Sequence, residues 1–307
     1  MSFTGNIKNE IINIYDTIES QMAELSAIIN IEAEISKKEI KISTENIGVS
    51  RRLYKLFKDL YRINVDTKKL ELNRLGKKYL IEIKVKEKID TILKDLSIIN
   101  EYGKRLYEPL TYLIDTEEEK RAYLKGAFLI CGSINDPKTA RYHAEFIIKK
   151  EKSAKFISKL LDELGFNNKI LKREKHYMVY MKESETISDF IKLLNANNSL
   201  FYYEDIRIYR DHKNMTNRLN NCEQANVEKI INSSNIQLEN IKILKEKIDF
   251  DLLDEKIQEI CIYKEKYPES SMQELSEIIS SETGKEITKS GINHRFRKIN
   301  EMIKNKK

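Results

Sequence analysis

No run of apolar residues in this 307-residue sequence approaches the roughly 18–20 needed to cross a bilayer as a helix. The opening MSFTGNIKNEIINIYD has no basic flank followed by an apolar block, so it does not read as a secretion signal. Cysteine is scarce: Cys131, Cys222 and Cys261 are odd in number, far apart and never in a Cys-x-x-Cys pair. That argues against a disulfide framework or a thiolate zinc site and fits reduced thiols in a cytoplasmic protein. The four histidines, His143, His176, His212 and His294, stand at no metal-ligand spacing. The 9 glycines form no Gly-x-Gly-x-x-Gly turn, no Gly-Lys-Ser/Thr phosphate loop and no Gly-x-Ser-x-Gly elbow. No metal, cofactor or catalytic nucleophile is therefore expected. With only 3 prolines besides, long helices are allowed.

What is present is apolar and charged in nearly equal measure, at 40% and 34%, enough for real cores under a heavily charged surface. The length suggests about two domains. The formal net charge is +6, and its placement is uneven. From Gly284 to Lys307 there are eight Lys or Arg against two Glu, so the whole excess lies in that stretch and the rest of the chain balances. Such an end suits a polyanion.

The same end carries a helical pattern. Leu252, Leu253, Ile257, Ile260 and Cys261 recur at helical spacing over about 252–266, and Pro268 follows where a helix stops. Ser271 with Glu274 reads as a capping box for a second helix with Met272, Leu275, Ile278 and Ile279 on its apolar side. Gly284 ends it in the conformation a tight turn demands. A third helix, capped by Thr288 or Ser290, has an apolar back of Ile292, Phe296 and Ile299. Lys289, Asn293, His294, Arg295, Arg297 and Lys298 supply a basic, amide-bearing front. This is the pattern of a helix-turn-helix whose recognition helix reads duplex DNA, since Arg pairs with guanine and Asn with adenine in the major groove. Thr288 and Ser290 at the helix start suit a phosphate. The expected DNA-binding residues are thus Thr288, Lys289, Ser290, Asn293, His294, Arg295, Arg297 and Lys298.

The preceding two-thirds repeats itself. Residues 20–100 and 119–197 each read helix (23–35, 122–134), strand (39–43, 144–149), helix (50–61, 153–166), two strands (62–68 and 78–84, 169–174 and 176–182) and helix (87–98, 185–196). Leu25 maps onto Leu124 and Tyr79 onto Tyr177, so the offset is nearly constant, as duplication requires. Alternation in KYLIEIK and HYMVYMK gives each sheet one face for helices and one for a partner, and two such halves can form a saddle. Farther on, LFYYEDIRIYRDHK interleaves Tyr202, Tyr203 and Tyr209 with Arg207 and Arg210, which suits either a nucleic-acid surface or a strand leaving the sheet. Asn217, Arg218, Asn220, Asn221 and Asn226 either contact DNA or order an irregular linker, the latter being favoured.

The segment AYLKGAFLICGSINDP (122–137) resembles the second LAGLIDADG helix of homing endonucleases, in the form found in the WhiA family of bacterial sporulation and cell-division regulators. NMTNRLNNCEQANVEKI (214–230) is similar to that family's Asn-Arg, Asn-Cys, Ala-Asn linker, and ITKSGINHRFRKIN (287–300) to its sigma-region-4-like recognition helix. The resemblance covers nearly the whole chain and is weakest in the first repeat. It implies an α+β fold: a two-repeat LAGLIDADG homing-endonuclease-like domain at 1–212, a connecting segment at 213–250 and an all-α helix-turn-helix domain at 251–307. It implies a transcription regulator tied to sporulation, cell division or chromosome segregation, with double-stranded DNA as partner.

A homing endonuclease needs a carboxylate at the foot of each LAGLIDADG helix to hold divalent ions. Aligned to the motif, LSAIINIEA (25–33) places Glu32 at the first acidic position and LKGAFLICG (124–132) places Cys131 at the second. A neutral thiol is a poor ligand for Mg²⁺, so the expectation is a degenerate site and no enzymatic activity. Asp136, before Pro137, reads as a turn residue. The balanced charge of residues before 284 speaks against strong autonomous DNA binding there. That domain is left to add contacts or bind a regulatory protein partner. The alternative reading is a scaffold of the division machinery with incidental DNA contact. A cytoplasmic, nucleoid-associated location is expected, with no membrane partner.

Overall fold

The duplicated pattern folds twice into the same succession of elements. The computed structural model describes residues 2–14, 16–72, 78–139 and 141–304 and divides into two compact units, 1–210 and 211–307. In the first unit a short helix, α1 (Phe3–Ile11), precedes a copy built as α2 (Ile18–Glu32), β1 (Glu34–Ile35), β2 (Ile40–Thr44), α3 (Ile47–Tyr61), β3 (Asp66–Leu72), β4 (Lys78–Val85) and α4 (Ile89–Asp95). The second copy repeats this as α5 (Glu117–Cys131), β5 (Gly132–Ile134), β6 (Ala144–Ile148), α6 (Glu151–Glu163), β7 (Lys169–Lys172), β8 (Tyr177–Met181) and α7 (Ser184–Leu193). Each copy makes one antiparallel sheet of the same order, β1-β2-β4-β3 and β5-β6-β8-β7. The registers correspond as well, Ile40 pairing with Val85 and Ala144 with Met181.

Two edge strands were invisible to periodicity. The expected helices 23–35 and 122–134 end at Glu32 and Cys131, where Ala33 and Gly132 turn to extended backbone and open β1 and β5. Strands of two or three residues carry no alternation to read. The strand expected at 62–68 starts only at Asp66, because Arg62 ends α3 in the left-handed conformation.

Alternation puts Ile40, Ile42, Ile83 and Val85 of one sheet, and Phe146, Ile148, Val179 and Met181 of the other, into the core. There they meet the apolar stripes of α3 (Leu53, Leu56, Phe57) and α6 (Ile157, Leu160, Leu161). Helices α2 and α5 pack against each other, and α2 is buried continuously from Ala23 to Ile31. Their approach is set by Gly126: a Cβ there would lie 2.2 Å from the Glu24 carbonyl oxygen. Around that crossing lies a buried ionic quartet. Arg52 of α3 grips Glu24 of α2 through Nε (2.9 Å) and Nη2 (2.8 Å) and reaches Asp16 (2.9 Å), while Lys125 of α5 pairs with Asp16 and with Glu24 (2.9 Å).

The helix α8 (Asn197–Lys247) follows. Its unpaired N-terminal amides are met by Glu10 of α1, which accepts from Asn198 N and Ser199 N at 2.9 Å each, an anion at the positive end of the helix dipole. The stretch LFYYEDIRIYRDHK is thus helix and not strand. It is no continuous nucleic-acid surface either. Tyr203 is buried, Arg207 pairs with Glu204 at 2.8 Å, and Arg210 lies 4.4 Å over Tyr142 while donating to the Pro137 and Thr139 carbonyls. The asparagines of 217–226 also lie on regular helix, so they do not order an irregular backbone. Every residue from 211 to 229 is exposed.

The second unit adds α9 (Glu255–Lys266), α10 (Met272–Thr283) and α11 (Lys289–Lys304). Its core is Ile241 and Leu244 of α8 with Ile257, Ile260, Leu275, Ile279, Ile292, Phe296 and Ile299. Ser271 and Glu274 form the expected capping box, and Gly284 takes φ 69° after α10. Among the described residues no helix is long and apolar enough to cross a membrane.

Candidate nucleic-acid interface and the ends of the paired helices

The turn between α10 and α11 is pinned from one side chain. Ser280 Oγ accepts from Ile287 N at 3.0 Å and fixes where α11 begins. Thr288, not Ser290, is the cap: its Oγ1 accepts from Gly291 N at 3.2 Å. Ile292, Phe296 and Ile299 then bury one side of α11, which turns Ser290, His294 and Arg297 outward at spacings of four and three. Lys289 and Lys298 are exposed beside them, and Asn293 is half-buried at the border. Arg295 is turned away, its guanidinium bound to Glu259 at 2.5 Å and to the Lys256 carbonyl at 3.3 Å, so it braces α11 on α9. Lys298 lies 3.9 Å from Asp254. Sequence reasoning missed Glu301, an exposed acid one turn beyond Arg297; its place on the outward face follows from the same spacing. The cationic front therefore runs along α11 from Lys289 to Lys298, and it includes the helix start that recognition helices insert into the groove. Lys306 and Lys307 of the basic end lie outside the described residues.

The paired helices α2 and α5 of the first unit end at Glu32 and at Cys131. Glu32 is the last residue of α2, and its carboxylate is held by Lys149 at 2.8 Å. Arg105 donates to the Asn30 carbonyl at 3.2 Å and Lys150 to the same oxygen at 3.5 Å, so side-chain cations surround the end of α2. Cys131 ends α5 with its Sγ 3.2 Å from the Ala127 carbonyl. Burial pushes its thiol up to about 12, and burial lowers the neighbouring Lys8 ammonium to about 8. A protonated thiol and a carboxylate already paired with lysine do not fit a divalent ion. Among the described residues no three His, Cys, Asp or Glu side chains converge as metal ligands. Asp136 stands in a turn, its Oδ1 accepting from Lys138 N at 2.9 Å.

The thiols provide a direct check on this environment. Cys131 is half-buried with its thiol desolvated, Cys261 is buried and raised to about 11, and Cys222 is exposed on α8. Because the thiolate is the reactive form, one fast equivalent per folded chain is expected with a disulfide reagent at pH 8, and three in denaturant. Three fast equivalents in the folded protein would contradict the placement of Cys131 and Cys261.

Fold and site together define a two-repeat LAGLIDADG-like scaffold joined to a helix-turn-helix domain. Three family models match in that order: the WhiA N-terminal LAGLIDADG-like domain over 19–99, the WhiA LAGLIDADG-like domain over 120–213 and the WhiA C-terminal HTH domain over 216–303. The chain is 38% identical to the probable cell division protein WhiA of Exiguobacterium sibiricum, over 98% of this chain and 96% of that one. It is also 38% identical to the protein of the same description from Bacillus cereus, with the same coverage. The crystal structure of full-length WhiA from Thermotoga maritima superposes with a TM-score of 0.57 at 21% identity, covering 100% of this chain and 99% of that one, which shows the shared fold. The chain belongs to the WhiA family.

Proposed function

We propose that this protein is a sequence-specific double-stranded-DNA-binding regulator of transcription, acting in bacterial cell division, chromosome segregation or sporulation, on a scaffold that does not cleave DNA. The observation that carries the reading is the outward face of α11 from its cap to Arg297. Thr288, Lys289, Ser290, His294 and Arg297 are exposed on a helix whose back is locked into the core, and Asn293 sits at its edge. Arg295 contributes by bracing the helix. The names of the relatives support the cell-division setting, and a cytoplasmic, nucleoid-associated location follows from that role. Loss of nuclease activity is supported by the neutral Cys131 thiol and the Glu32–Lys149 pair.

Fluorescence anisotropy against a pool of genomic duplexes, at two salt concentrations with Mg²⁺ present, tests the proposal. Selective, salt-sensitive retention of uncut DNA is expected. Arg297→Ala or Asn293→Ala should weaken specific binding by about 1–3 kcal/mol. Wild-type affinity in both variants would remove α11 as the reading helix, and Mg²⁺-dependent nicking abolished by Glu32→Gln would restore the enzyme. A second reading, a protein-interaction scaffold, is favoured by the outer face of the second sheet. There Ile147 and Leu171 are exposed and both pair with Met178.

A further inference from the structure

The second unit contains a cavity of about 470 Å³ between α8, the end of α9, the start of α10 and the start of α11. Three lysines from three helices line it, Lys229, Lys264 and Lys289, and no Asp or Glu does. Lys264 is 1% exposed. Among the described residues its ammonium makes one hydrogen bond, to the Ser270 carbonyl at 2.8 Å. An ammonium has three hydrogens, and a buried cation without a paired anion is costly. The carboxylate that acts on it electrostatically, Glu274, is taken up by the Ser271 amide at 2.8 Å. Lys229 and Lys289 are exposed and have no carboxylate partner among the described residues. The Ser233 and Gln237 side chains complete a lining rich in donors.

We propose that this cavity is a phosphate-binding site, with Lys264 at its floor and Lys229 and Lys289 at its rim. A phosphate group points its oxygens in tetrahedral directions, so donors arriving from separate helices can converge on it, which the two coplanar oxygens of a carboxylate do not match. It would supply the counter-charge that Lys264 lacks. The phosphate group comes either from the DNA backbone, which Lys289 on α11 would reach in the same act, or from a free phosphorylated small molecule. Only the first source rests on the DNA-binding reading.

The test titrates inorganic phosphate into the full chain without DNA, against chloride at matched ionic strength, and then measures DNA affinity at several salt concentrations. Wild-type protein is compared with Lys264→Met, a near-isosteric change, and with Lys229→Ala, an exposed one. Saturable phosphate binding is expected, weakened about tenfold or more by Lys264→Met. If the group belongs to the DNA backbone, Lys264→Met also lowers DNA affinity about tenfold and reduces the salt slope by about one. If it belongs to a free ligand, DNA affinity stays while phosphate binding is lost. Phosphate binding by a chain that binds no DNA would sink the regulator reading and keep the site. No phosphate binding by the wild type, together with unchanged DNA affinity and salt slope in both variants, would overturn the proposal.

Discussion

Replacing Gly126 by alanine is expected to destabilise the first unit by about 3 kcal/mol, although alanine is the better helix former by about 1 kcal/mol. The reason is the crossing of α2 and α5. A methyl group at 126 would meet the Glu24 carbonyl oxygen at 2.2 Å and the Glu24 Cα and carbonyl carbon at 3.0 Å. These are backbone atoms, so no side-chain rotation relieves the clash, and the helices must move apart. Moving α2 at Glu24 also pulls on the buried pairs that Glu24 makes with Arg52 and Lys125. Cavity and strain costs therefore add to one another. Urea denaturation followed by far-ultraviolet circular dichroism measures the loss. A midpoint within about 0.5 kcal/mol of the wild type would mean that the two helices have slack the crossing does not show.

That glycine also marks how the sequence and the structure part company. The helix-turn-helix was legible almost residue by residue because its signals are local: the Ser271–Glu274 capping box, Gly284 after α10 and the spacing of Ile292, Phe296 and Ile299. The two repeats were legible because their order recurs at a near-constant offset. What remained hidden depends on residues far apart in the chain. Arg295 reads as part of the cationic front until Glu259, 36 residues earlier, is seen to hold it. The strand read into LFYYEDIRIY came from its aromatic and β-branched content, which tertiary packing overrode by burying Tyr203 on a helix. Lys264 carries no signal of burial in its neighbours along the sequence, and its cavity exists only once four helices meet. At the ends of α2 and α5, the thiol at Cys131 was readable by alignment. Lys149 beside Glu32 was not, being 117 residues away.

Replacing Arg52 by methionine is the second change with a large expected effect, about 3–5 kcal/mol, and it tests what holds α2, α3 and α5 together. Arg52 and Lys125 are each 5% exposed and Glu24 is fully buried. With Asp16 they make two cations and two anions, joined by the bidentate Arg52–Glu24 contact and by Lys125 on both acids. Taking Arg52 away leaves two carboxylates facing one ammonium, and the buried Glu24 loses both of its guanidinium hydrogen bonds. Removing Glu24 at the same time leaves Lys125 with Asp16, again a neutral pair. The double variant Arg52→Met with Glu24→Met should therefore recover most of the loss, because replacing a buried ion pair by apolar side chains of similar volume is often neutral or better. A double-mutant cycle in urea gives the coupling directly. Additive losses would show that the four groups act separately, and a single-variant loss below about 1 kcal/mol would show that water shields them. Recovery in the double variant would mean that the quartet is a matched set that locks α2, α3 and α5 together.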